Sequence, residues 1–145
     1  FDVSQTAVNL TTALLAINNL PFFSYRVCDI CDIGFPDASF DVVVAHAVLD
    51  HLETKNVQKA ISELFRITKQ RGLIYLSFDP LEQDDLDEAH DVLPDGSFVY
   101  HGGGRDGLLF HYYTDESIRN LLKNMTILNC IQNVRGEREL LLIKP

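Results

Sequence analysis

The stretch GFPDASFDVVVAHAVLDHL, residues 34–52, decides how the rest of the chain is read. Gly34 and Pro36 open it as a turn, since glycine supplies left-handed backbone and proline fixes φ. Phe40 to Ala45 is then apolar throughout apart from Asp41. An unbroken apolar run is the pattern of a parallel strand covered on both faces, whereas a half-exposed strand alternates. His46 and His51 follow at once. The stretch predicts a turn and a central strand over Phe40–Ala45.

Working outward, strands and helices alternate. Upstream, Ser4 is a helix cap, and Ala7, Leu10, Leu14 and Ile17 recur at helical spacing. Asn18, Asn19 and Pro21 end that helix. Phe22 to Val27 is rich in aromatic and β-branched residues and reads as a strand. Residues 28–39 read as a loop.

Downstream, a helix is predicted from about Val57 to Lys69, with Val57, Ala60, Ile61, Leu64, Phe65 and Thr68 facing inward. Gly72 is expected to close that helix, and Leu73 to Phe78 to form another buried strand. Such alternation implies right-handed crossovers in a parallel sheet. The rhythm then changes, because residues 79–95 hold eight acids and almost no periodicity. Phe98–Tyr100 and Leu108–Tyr113 are expected to pair as a hairpin around the glycine-rich loop 101–107. Thr114 should cap a helix with Ile118, Leu121 and Leu122 inward. Ile127–Ile131 and Leu140–Lys144, joined through Arg135-Gly136-Glu137, predict an antiparallel pair.

Composition limits the function classes. A chain of 145 residues is one domain's worth and enough for a real core. Its net charge of −9 and lack of a basic stripe give no pull toward phosphate backbones or anionic lipid, so neither nucleic acid nor membrane is an expected partner. No apolar run approaches the roughly 20 residues of a membrane-spanning helix. Cys28, Cys31 and Cys130 are too few and odd in number for a disulfide framework, which points to a reducing, cytoplasmic setting.

The Cys28-x-x-Cys31 pair lacks the second pair of a zinc ribbon and precedes a proline turn rather than a helix, so no metal or redox site is expected. His101-Gly102-Gly103-Gly104 has the form of an esterase oxyanion loop, but the chain has no G-x-S-x-G nucleophile elbow. The acidic run from Asp84 to Glu88, with His90 and Asp91, has the makings of a cation site. Charge runs of this kind are usually solvated faces.

Against this background, CDICDIGFPDASFDVVVAHAVLDHL (residues 28–52) resembles the region after the third strand of class I S-adenosylmethionine-dependent methyltransferases, in their small-molecule, type 11-like branch. FDVSQTAV resembles that family's second strand, with a terminal acid and a helix-capping Ser. ELFRITKQRGLIYLSF resembles the approach to its fifth strand, and FHYYTDESIRNLL its late helix. The resemblance implies an α/β, Rossmann-like methyltransferase sheet, mostly parallel with a final antiparallel strand pair. It implies a single domain over residues 1–145, with residues 79–113 as an insert on the substrate side. It also implies S-adenosylmethionine as cofactor and methyl transfer to a small-molecule or protein acceptor. The alternative is a non-catalytic, methyltransferase-fold interaction or scaffold module.

The family's glycine-rich motif, first strand and first helix have no counterpart here, and Phe1-Asp2-Val3 looks like the tail of a strand. The expectation is a fragment or a degenerate relative, missing a strand that lies between the second and fourth. Exposed sheet edges would then favour a homodimer.

By the resemblance, Asp2 accepts the ribose hydroxyls and Val3 packs on adenine. Asp29 accepts from the adenine amino group, Ile30 offers a backbone N–H and an apolar face, and Ala45 and His46 touch the methionine end. Asp2 also reads as a helix N-terminal acid and Asp29 as a loop cap. His46, His51 and His111 are the candidate bases, although alignment alone often suffices for methyl transfer and a packed histidine is the plainer reading. Tyr112 and Tyr113 either line the acceptor pocket or pack on the hairpin.

Overall fold

A computed structural model describes residues 1–22 and 24–145. The chain forms two compact units, Phe1–Phe35 and Pro36–Pro145.

In the first unit, Ser4 caps helix α1, Gln5–Ile17, by accepting the Ala7 N–H at 3.2 Å. The residues at helical spacing are not the ones the helix buries. Val8 is the buried residue of α1, whereas Leu10, Leu14 and Ile17 are 67%, 62% and 78% exposed. At about 100° per residue those three lie away from the face that Val8 occupies, so the helix forms as its spacing predicts and buries another face. The strand expected over Phe22–Val27 is also absent from its described residues, and Phe23 lies outside them. What forms is an isolated parallel bridge between Asp2 and Val27. Phe22, Tyr25 and Val27 are all exposed, so their β-propensity finds no face to pack against.

The second unit is built on a four-stranded sheet in the order β1-β2-β7-β6. Strand β1, Phe40–Ala45, pairs in parallel with β2, Thr68–Phe78, and the crossover is helix α2, Thr54–Ile67. The bounds of β1 match expectation, but its cover does not. Val43 and Ala45 are buried while Val42 and Val44 are exposed, so one face of the strand is covered rather than two. Val57, Ala60, Ile61, Leu64 and Ile67 form the buried stripe of α2. Ile74, Leu76 and Phe78 of β2 are fully buried. Strands β6, Thr126–Gln132, and β7, Arg138–Ile143, form the expected antiparallel pair, with β7 also antiparallel to β2. Strand β7 therefore lies inside the sheet, while β1 and β6 are its edges. The Lys144 ammonium donates to the Phe65 and Thr68 carbonyls at 2.6 and 2.7 Å, placing a cation at the negative end of α2.

Gly72 does not close a helix. It sits within β2, where an added Cβ would come within 2.7 Å of Thr68 Cγ2, 2.8 Å of the Lys69 carbonyl oxygen and 2.9 Å of the Asp41 carbonyl oxygen. The β1–β2 register slips here, from Phe40↔Thr68 to Val42↔Leu73, and Arg71 takes a left-handed φ of 62°. This is a bulge, and glycine serves close backbone approach in it. The Lys69 ammonium spans the irregularity to both Asp41 carboxylate oxygens at 2.9 and 2.8 Å.

A second, antiparallel sheet contains β3, His90–Val92, β4, Phe98–Tyr100, and β5, Leu109–Phe110, in that order. The β4–β5 hairpin forms as expected, although its second strand is Leu109–Phe110 rather than the whole of Leu108–Tyr113. Helix α3, Gln83–Asp87, and β3 arise from a stretch whose sequence carries no periodicity. Thr114 caps helix α4, Asp115–Leu121, by accepting the Ser117 N–H at 3.1 Å, and Ile118 and Leu122 are buried beneath it.

Candidate functional site

Ligands of parallel α/β sheets bind beyond the carboxyl ends of the strands. In the first unit that end is set by the Asp2–Val27 bridge. The Asp2 N–H donates to the Arg26 carbonyl at 3.3 Å and the Cys28 N–H to the Asp2 carbonyl at 3.0 Å. Asp2 thus closes the parallel pairing and Asp29 follows two residues beyond Val27 at the same end. Asp2 Oδ1 accepts the Ser4 N–H and Asp29 Oδ1 the Cys31 N–H, both at 2.8 Å. These are the capping roles open to each residue. Among the described residues Oδ2 of each carboxylate accepts no hydrogen bond, so both keep an acceptor for a ligand hydroxyl or amine. Val3 is 74% exposed, and Ile30 is buried beside the Asp29 turn. Burial pushes the Cys28 thiol above its ordinary value, which opposes a reactive thiolate.

In the second unit, Ala45 is buried at the end of β1 and His46 is exposed beyond it, its ring stacked on Tyr75 at 6.2 Å. The chain then turns sharply. Ala47 has a φ of 47°, a left-handed backbone for a residue with a Cβ, and its N–H is held by the buried Ser77 hydroxyl at 2.9 Å. A single 3₁₀ turn, Leu49–His51, follows.

Asp50 within that turn is only 1% exposed. Its Oδ2 accepts the Asp79 N–H at 2.7 Å, and its backbone carbonyl accepts the His111 N–H at 2.7 Å. It therefore ties the end of β2 to the segment after β5. Burial pushes its carboxyl up to about 7; the Asp79 carboxylate adds to the shift, while the Asp79 N–H and the Arg138 guanidinium oppose it.

The histidines separate by environment. His51 Nδ1 lies 2.8 Å from the Leu109 carbonyl oxygen. A carbonyl only accepts, so Nδ1 carries the hydrogen and Nε2 is the basic nitrogen. His111 Nδ1 is 2.9 Å from the buried Ser97 hydroxyl, and burial lowers its pKa, with Asp95 opposing. Tyr113 is buried against Phe78 at 5.1 Å, and burial first, then Asp50 and Asp95, raises its phenol to about 12. Tyr112 is 37% exposed, with the Arg138 guanidinium 5.0 Å from its ring centre.

A cleft of about 360 Å³ opens beside the end of β2. Of the candidate bases only His51 lines it, and neither Tyr112 nor Tyr113 does. Its wall includes Asp79, Tyr100, Arg105 and Phe110 from the segment read as substrate-side, with Arg135 from the β6–β7 turn.

Among known proteins, the sequence matches the family described as "Methyltransferase domain" over residues 1–76. The chain belongs to that family. The methyltransferase fold extends over nearly all of it. An S-adenosylmethionine-dependent methyltransferase from Methanosarcina mazei is 20% identical, with a TM-score of 0.75 over 99% of this chain and 79% of that one. A protein from Pyrococcus horikoshii OT3 is 18% identical, with a TM-score of 0.80 over 99% of this chain and 69% of that one. The 1,6-didemethyltoxoflavin-N1-methyltransferase of Burkholderia thailandensis, solved with S-adenosylhomocysteine, is 13% identical, with a TM-score of 0.67 over 92% and 56%. A comparison with curated proteins finds no match.

Reading the sequence alone missed Asp50, Asp79 and the Ala47–Ser77 turn. Asp50 had a signal, a lone acid between Leu49 and His51-Leu52. Asp79 had a clearer one, the first charged residue after a buried strand, where a parallel sheet presents its ligand edge. The left-handed Ala47 had none, because alanine does not advertise a positive φ.

Proposed function

We propose that the protein transfers the methyl group of S-adenosylmethionine to a small-molecule or protein acceptor. The observation that most supports this reading is the Asp2–Val27 bridge in a member of the methyltransferase family, which gives Asp2 and Asp29 a common strand end with an acceptor oxygen to spare on each. The cofactor supplies an electrophilic methyl on a sulfonium sulfur.

Asp2 accepts from the ribose hydroxyls and Asp29 from the adenine amino group, with Val3 and Ile30 giving apolar contact. In the second unit, Ala45 and His46 serve the methionine end. Residues 79–113 form the acceptor side, and Tyr112 and Tyr113 serve it without lining the cleft. His51 Nε2 takes the proton that the acceptor loses.

Calorimetry with S-adenosylhomocysteine tests the assignment. Asp29→Ala should weaken binding about tenfold or more, because a charged acceptor is lost. Asp84→Ala, on the exposed side of α3, should leave affinity unchanged. If Asp29→Ala binds as well as the unaltered protein, the nucleoside site lies elsewhere.

The same reading carries an expectation about assembly. Among the described residues no strand pairs with the outer edge of β1, and Val42 and Val44 are 55% and 62% exposed. A second copy pairing at that edge would satisfy its unpaired backbone N–H and C=O groups. Light scattering should then return a dimer mass, and a monodisperse monomer at high concentration would rule the pairing out.

A further inference from the structure

We infer that the acceptor is a small molecule carrying a positively charged nitrogen, held in the cleft beside β2 by the carboxylate of Asp79. This rests on the proposed methyl transfer and adds the charge class of the acceptor.

The charged groups of the cleft are Asp79, Glu82, Asp85 and Glu137 against Arg105 and Arg135. Acids outnumber bases, and most of them are already committed. Asp85 accepts the Glu82 N–H at 2.8 Å with one oxygen and the Arg105 guanidinium at 2.7 Å with the other. Glu82 returns the contact by accepting the Asp85 N–H in a capping box. The Glu137 carboxylate is hydrogen-bonded by the Asn133 amide.

Asp79 differs from all of these. Its backbone N–H is spent on Asp50, but among the described residues its carboxylate accepts no hydrogen bond and joins no ion pair. It is half-buried at the carboxyl edge of β2, where desolvation makes an uncompensated charge costly and a cationic ligand correspondingly favourable.

The arginines do not offset it. The Arg105 guanidinium is held by Asp85, lies 3.8 Å from Glu88 and sits 5.1 Å from the Tyr100 ring centre. Arg135 is exposed on the β6–β7 turn, in high dielectric, where its charge reaches the cleft weakly. Leu108 and Phe110 add an apolar wall, and the volume suits a ligand of one ring and a short chain. His51 lines the same cleft with Nδ1 turned to the Leu109 carbonyl, so Nε2 is the ring nitrogen left to meet a ligand beside the Asp79 carboxylate.

Three probes of nearly equal size test the inference on the full chain: phenethylammonium, 3-phenylpropionate and 2-phenylethanol, each titrated by calorimetry in the presence and absence of S-adenosylhomocysteine. Phenethylammonium should bind about tenfold or more tightly than either of the others. Asp79→Asn, which keeps the shape and removes the charge, should abolish that preference, and Arg135→Gln should preserve it. The inference is overturned if phenylpropionate binds best, if the three probes bind alike, or if Asp79→Asn keeps the preference for the cation. S-adenosylhomocysteine titrated alone separates the two readings. Cofactor binding without cation preference defeats only the acceptor class, whereas cation preference without cofactor binding defeats the methyltransferase reading and leaves the cleft a cation site.

Discussion

Leu14 and Leu64, one in each unit, occupy equivalent sequence settings. Each is a leucine at helical spacing within a helix of similar length, α1 of 13 residues and α2 of 14. Yet Leu14 is 62% exposed and Leu64 is 1% exposed. The difference lies in what surrounds each helix. The apolar residues of α2 fall on one stripe, and the β1–β2 pair gives that stripe a surface to cover. The apolar residues of α1 are spread around the helix, with Val8 buried and Leu10, Leu14 and Ile17 left in solvent. Periodicity reports that a helix forms, while burial depends on a partner surface.

The largest expected effect tests this contrast directly. Leu64→Ala should lower stability by about 2–5 kcal/mol in urea denaturation, from lost burial and the cavity left behind. Leu14→Ala should stay within about 0.5 kcal/mol, as an exposed substitution. Equal losses at the two positions would break the comparison.

Another test uses pH. Asp50 titrates at about 7 in the folded protein against 3.8 in the ordinary case. The folded state therefore holds this proton more tightly than the unfolded chain, and stability should fall as pH rises from about 4 to about 7, by at most ~1.4 kcal/mol per pH unit. Below that window the contribution is fully present. Asp50→Asn keeps an acceptor for the Asp79 N–H and should flatten the slope. A slope that survives the substitution would move the pH sensitivity away from the 3₁₀ turn.

Third comes Gly72→Ala. Its methyl would meet two backbone carbonyl oxygens that cannot swing aside, so a loss of about 1–3 kcal/mol is expected by denaturation. The smallest effects are at the caps. Thr114→Ala should cost about 1 kcal/mol, because α4 buries Ile118 and its unravelling is felt by the core. Ser4→Ala should appear mainly as lost helicity by circular dichroism, with the unfolding midpoint of the second unit unmoved.

What the sequence made legible follows the same division. Phe40–Ala45 was readable to the residue, because a glycine-proline turn followed by a compact apolar run announces a strand. How many of its faces are covered was not, since that depends on what packs against Val42 and Val44. The β6–β7 pair and the Thr114 cap were readable from local chemistry alone. Strand β3 was not, because three residues, His90–Val92, are too few for a period and their pairing with Phe98–Tyr100 is set by tertiary contact. Phe22–Val27 misled for the opposite reason, since its described residues Phe22, Tyr25 and Val27 carry strong β-propensity and yet are exposed. At the site, the strand-end carboxylates and His51 were visible as residue types at suggestive positions. The state of Asp50 and the free carboxylate of Asp79 depend on burial and on which neighbours are already committed, and neither can be counted along a sequence.

The placement of β7 between β2 and β6 governs how quickly the second unit can fold. The crossover from β1 through α2 to β2 closes over a short span, and so does the β6–β7 hairpin. The seam between residues 73–78 and residues 138–143 joins distant parts of the chain. Closing that seam costs the entropy of a long loop before any ladder hydrogen bond is gained, which makes it the natural slow step. Before it closes, the apolar strands Leu73–Phe78 and Leu140–Ile143 lack the partner each has in the native sheet, and the route to that sheet competes with capture by any other strand nearby.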